Sequence, residues 1–76
     1  MLISLVLVEG KNVSEEALVF SLQNAKQIVI GNAQGFGIIL HIAATTPGDL
    51  REAIIKYAQV PGVTEVTILA TRGDWG

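Results

Sequence analysis

The sequence predicts an α+β fold of four strands and two helices in the order β-α-β-β-α-β. Three observations carry this. Short β-branched runs alternate with two amphipathic stretches. Capping signals open both amphipathic stretches. A glycine-rich reversal, Gly31 to Gly37, sits at the centre of the chain between two strand-like runs.

Leu2 to Val8 is the first strand. It is apolar on both faces, with Leu2, Ser4, Val6 and Val8 on one and Ile3, Leu5 and Leu7 on the other, the pattern of a strand covered on both sides and central in its sheet. Glu9-Gly10-Lys11 reads as a turn. Asn12 with Glu15, or the start at Ser14 shifted by two, caps a helix over 13–25, and Glu15 and Glu16 suit the dipole of its first turn. Ala17, Leu18, Leu22 and Ala25 form its apolar stripe, widened by Val19 and Phe20. Gln27 to Gly31 is the second strand, and Asn32-Ala33-Gln34-Gly35 reverses the chain. Phe36 to Ala43 is the third, again apolar on both faces.

Thr46-Pro47-Gly48-Asp49 opens the second helix. Thr46 is its N-cap, Pro47 occupies the first turn where a missing N–H costs nothing, and Asp49 completes a capping box. Leu50, Ala53, Ile54, Tyr57 and Ala58 recur at helical spacing. Ile55 falls among the polar residues opposite. Pro61-Gly62 ends the helix. Val63 to Thr71 is the last strand, its cleaner alternation pointing to a sheet edge.

This order is the ferredoxin-like arrangement: a four-stranded antiparallel sheet with two helices on one face. Right-handed crossovers put the first and third strands in the middle. The helix-covered face is expected to hold Ile3, Leu5, Leu7, Ile28, Ile30, Ile38, Leu40, Ile42, Val66, Ile68 and Ala70. The other is expected to hold Ser4, Val6, Val8, Val29, Ile39, His41, Ala43, Thr67, Leu69 and Thr71. That second set is too apolar to lie open to water. A second copy packed sheet to sheet would cover it, with Ser4, Val6, Val8, Ile39, His41, Thr67 and Leu69 at the dimer interface.

Composition points the same way. The 76 residues form one domain, 1–76, of which half is hydrophobic and only 16% charged. A domain of this size buries only about 60% of its unfolded surface, so much apolar surface is left for an oligomer to cover. The longest apolar run, at Leu2 to Val8, is too short to span a bilayer. A net charge of −2 without a basic cluster argues against direct nucleic-acid contact. The absence of cysteine excludes disulfides and thiolate metal sites. Met1-Leu2-Ile3 leads straight into a strand without a basic leader, so a cytoplasmic location is expected.

No catalytic constellation is visible, and no enzyme, metal or cofactor is expected. The glycines at 31, 35 and 37 lead into a strand, whereas a phosphate loop opens onto a helix. They are read as turn or bulge residues. His41, the single histidine, has no second ligand or nucleophile arranged with it. It is expected in the interface near Ser4 or Thr67; burial there would make assembly depend on its protonation, which dimer mass measured across pH 5 to 8 would expose. Trp75, in the polar tail, is either a free end or an anchor in a neighbouring subunit.

Gly37 to Leu69, with Leu50-Arg51-Glu52 and Pro61-Gly62-Val63 at this spacing, resembles the ligand-sensing (RAM) domain of the Lrp/AsnC transcriptional regulators, and the whole chain matches that domain's extent. The resemblance implies a stand-alone sensing domain without the family's DNA-binding helix-turn-helix. It implies face-to-face dimers, assembled further into tetramers or octamers, amino-acid effectors bound around the hairpin, and full-length regulators of the family as partners. On it the ligand-binding residues are Asn32, Gln34, Gly35, Phe36 and Gly37, with Thr45 and Thr46 nearby. The family shows glycine, any residue, an aromatic, then aspartate at the entry to the third strand. Here Phe36 falls on the aromatic and Gly37 replaces the aspartate, removing a partner for an effector's ammonium group. Two further readings stand beside it: an assembly module without ligand, and an ACT-type regulatory domain paired through sheet edges.

Overall fold

A computed structural model describes residues 1–33 and 37–73. The elements are β1 (Leu2–Gly10), α1 (Glu15–Leu18), β2 (Ala25–Ala33), β3 (Gly37–Ala44), α2 (Pro47–Ala58) and β4 (Val63–Gly73). The strands form one antiparallel sheet in the order β2-β3-β1-β4. β1 and β3, the two strands apolar on both faces, are its inner members.

Pairing decides which face is covered. Ser4 lies opposite Ile42, Val6 opposite Leu40 and Val8 opposite Ile38. All six are buried, and all but Ser4 belong to one apolar core with Leu18, Ala44, Leu50, Ala53 and Tyr57. The expected faces of β1 are therefore reversed. Ser4, Val6 and Val8 point toward the helices and cannot meet a partner sheet, while Ile3, Leu5 and Leu7 lie on the open face. A strand apolar on both sides carries no signal for which side the helices take. The register with β3 supplies it.

Irregularities in both edge strands change the rest. Between Val29 and Gly31 the β2–β3 register shifts, with Ile30 as the extra residue. Val29 pairs with Leu40 and packs on the core; Ile28 pairs with His41 on the open face. Ile28 and Ile30, expected inside, are 62% and 52% exposed. In β4 the shift falls between the Val6–Ile68 and Leu5–Ala70 pairs, with Leu69 as the extra residue. One added residue reverses every side chain beyond it. Ala70 thus moves to the open face, and Thr71 to the covered face opposite Ser4. The buried Ser4 hydroxyl donates to the Ala70 carbonyl (3.1 Å) and lies 3.3 Å from Thr71 Oγ1, so it is satisfied beside the bulge.

The first helix is a single turn. Asn12 is not its cap: its φ of 59° places it in the left-handed region, and Ser14 is the N-cap, accepting from the Ala17 N–H. After Leu18 the chain extends, turns at Asn24 (φ 57°) and enters β2 at Ala25. Phe20 and Leu22 still pack against the core. The apolar spacing is real, but an extended segment satisfies it.

The second helix follows its signals. Thr46 caps it, Asp49 closes the capping box and Pro47 lies in the first turn. Leu50, Ala53 and Tyr57 are buried, whereas Ala58 is exposed and Ile55 is 43% exposed. No helix among the described residues is long and apolar enough to cross a membrane.

Candidate functional site

The expected ligand residues that are described fall at the two ends of β3. Gln34, Gly35 and Phe36 lie outside the described residues. Asn32 is exposed at the end of β2, paired with Ile38. Gly37 opens β3 with φ 146°, a region L side chains rarely adopt. A Cβ there would collide with the Val8 carbonyl oxygen. The backbone thus bars the family's aspartate, or any side chain, from this position.

Thr45 and Thr46 lie at the other end of β3, about 26 Å from Gly37 at the usual rise of an extended strand. Both are committed to structure. The Thr45 hydroxyl donates to the Asn24 carbonyl at 3.1 Å. Thr46 Oγ1 accepts from the Asp49 N–H at 3.2 Å and bonds Asp49 Oδ2 at 2.8 Å. Thr45 also lines an open depression of about 520 Å³ with Met1, Asn24, Ala25, Lys26 and Ala43. Thr45 and Thr46 are therefore separated from Asn32 and Gly37 by the length of a strand.

A polar centre that the sequence did not announce lies under α2. Gln27 projects from β2 toward the helices. Its Nε2 donates to the Leu18 carbonyl (3.0 Å) and the Phe20 carbonyl (2.8 Å), and its Oε1 accepts from the Tyr57 hydroxyl. Phe20 packs on the Tyr57 ring, centroids 5.3 Å apart at 50°. Both amide hydrogens and the amide oxygen are used. Burial raises the Tyr57 phenol well above its ordinary pKa. Every partner is internal, so the group ties α1 to α2. A lone glutamine in a β-branched run gives no warning of it.

One face of the sheet has no covering layer among the described residues. Pairing arranges it in rows across the sheet. Lys26, Ala43, Ile3 and Arg72 form one row; Ile28, His41, Leu5 and Ala70 the next; Gly31, Ile39, Leu7 and Thr67 the third. The pair Glu9 and Glu65 closes the far end. His41, Ile39 and Thr67 thus lie on this face, as expected, and Leu69 is the extra residue of the β4 irregularity, 50% exposed. Ser4 is on the opposite face from His41 and is no partner for it. Between the charged rows the surface is apolar apart from His41 and Thr67. Four strands spaced about 4.8 Å apart over about 20 Å make roughly 400 Å² of sheet.

No three His, Cys, Asp or Glu side chains converge in a metal-like group among the described residues. No protein-family model, curated protein or solved structure matches the chain.

Proposed function

We propose that the chain is a self-associating, non-enzymatic regulatory module of ferredoxin-like architecture, of the kind that senses small molecules in Lrp/AsnC regulators. The observation that carries this is the uncovered apolar face centred on Leu5, Leu7, Ile39 and His41. Sheet-on-sheet packing with a second copy removes it from water. The sheet order, with β1 and β3 inside, supports the ferredoxin-like assignment. A face, rather than an edge, as the large apolar surface favours this reading over ACT-type pairing.

The effector would be an amino acid or similar metabolite held at the hairpin end, where Asn32 offers an exposed amide near the end of β2. It acts only through different affinities for different assembly states. The bar to an aspartate at position 37 favours the second reading, an assembly module that has no amino-acid ligand.

Two measurements on the intact chain test these readings. Sedimentation over a concentration series is expected to show a reversible dimer or larger closed assembly; a monomer throughout overturns self-association. A thermal-shift screen of the amino acids is expected to raise the melting temperature with at least one. If none shifts melting or changes the assembly mass, sensing fails and the assembly module remains.

A further inference from the structure

We infer, on the reading that a second copy covers the open face, that the two copies pack with their strands antiparallel, Arg72 of each over the partner's Glu65. The face is electrically polar along the strands. Lys26 and Arg72 occupy the row at one end and Glu9 and Glu65 the row at the other, with His41 the one ionisable side chain between them among the described residues. Ile3 and Glu9, which mark these rows on β1, are six residues apart, about 20 Å in an extended strand.

Two sheets meeting face to face as identical copies are related by a dyad lying between them. A dyad running along the strands superposes like ends, leaving each β4 above the partner's β2 and bringing Arg72 toward the partner's Lys26. A dyad across the strands turns one copy end for end. Each strand then lies over its own counterpart, and the cationic row of one copy covers the anionic row of the other. Opposite charges across an interface fix its orientation and disfavour wrong ones.

A second observation agrees. Glu9 and Glu65 are directly paired across β1 and β4, and like charges in that relation repel. The partner's Arg72 relieves that repulsion, and symmetry repeats the contact. The dyad then passes at the level of the Val6–Leu40 pair, midway between the charged rows. His41 falls over the partner's Ile39 and Leu5 over the partner's Leu7, so the middle of the interface is apolar apart from His41 and Thr67.

The test is a charge exchange read by sedimentation at low salt. Glu65→Arg and Arg72→Glu are each expected to weaken the dimer about tenfold or more. The double variant is expected to return to within about threefold of the parent. Both positions are exposed, and melting curves at concentrations where each variant is monomeric confirm folding. Tightening by Arg72→Glu, the sign expected beside the partner's Lys26, overturns the orientation, as do unchanged single variants or a double variant that stays weak. In each of those cases a parent dimer leaves self-association standing. A parent that is monomeric at every concentration overturns both together.

Discussion

Tyr57 shows what one buried polar residue does in a core this small. Its ring packs on Phe20, and its hydroxyl donates to Gln27, which holds the carbonyls of Leu18 and Phe20. Tyr57→Phe preserves the ring and leaves Gln27 Oε1 without its donor. Gln27 is only partly buried, so the loss is expected at the low end for an unsatisfied acceptor, about 1 kcal/mol, in a urea titration at pH 7. The pH dependence has a definite sign. Burial raises the folded-state pKa above that of the unfolded chain, so the folded state holds its proton where the unfolded chain releases one. The resulting stability is complete below about pH 10, the ordinary phenol value, and is lost as pH rises beyond it. The parent should therefore lose stability more steeply than Tyr57→Phe between pH 10 and 11. Parallel curves for the two proteins would contradict the assignment.

At the scale of elements, success follows how local each signal is. The start of α2 lies entirely within Thr46 to Asp49, and the capping box forms as read. α1 needed a continuous helical backbone across 13–25. It stops at Leu18, where the Gln27 side chain satisfies carbonyls at and beyond the helix end, while Phe20 and Leu22 reach the core from an extended segment. The start of β3 is equally a backbone matter. Gly37 needs a positive φ and has no room for a Cβ against Val8. Gly37→Asp, which restores the carboxylate of the resembled family, is expected to destabilise the fold by at least about 1–3 kcal/mol without creating an amino-acid site. A variant of parental melting temperature that binds an amino acid would show the hairpin entry to be a ligand position after all.

For the whole molecule, the two faces of β1 give a direct contrast. Val6 is fully buried beneath the helices, while its neighbour Leu7 lies on the open face. Val6→Lys is expected to abolish cooperative unfolding, because a buried unpaired ammonium has no compensation. Leu7→Lys is expected to leave the monomer folded and to disperse the assembly. Circular dichroism and sedimentation on the same samples check both. If Leu7→Lys keeps the parental mass, the open face is not the interface.

The sequence by itself determined the number of strands, the inner position of two of them, the second helix with its cap, and the excess of apolar surface. These follow from composition, periodicity and residues within one turn of one another. Only the tertiary structure decided which face of β1 the helices cover, where the edge strands slip register, and how short α1 is. A strand apolar on both sides is symmetric in pattern, and a single bulge inverts everything after it. A glutamine amide can satisfy the carbonyls at a helix end only once the sheet has brought it there. The same pairing separated Thr45 and Thr46 from the hairpin and set Lys26 and Arg72 opposite in sign to Glu9 and Glu65 across one face. That is long-range register, which no local reading of the chain contains.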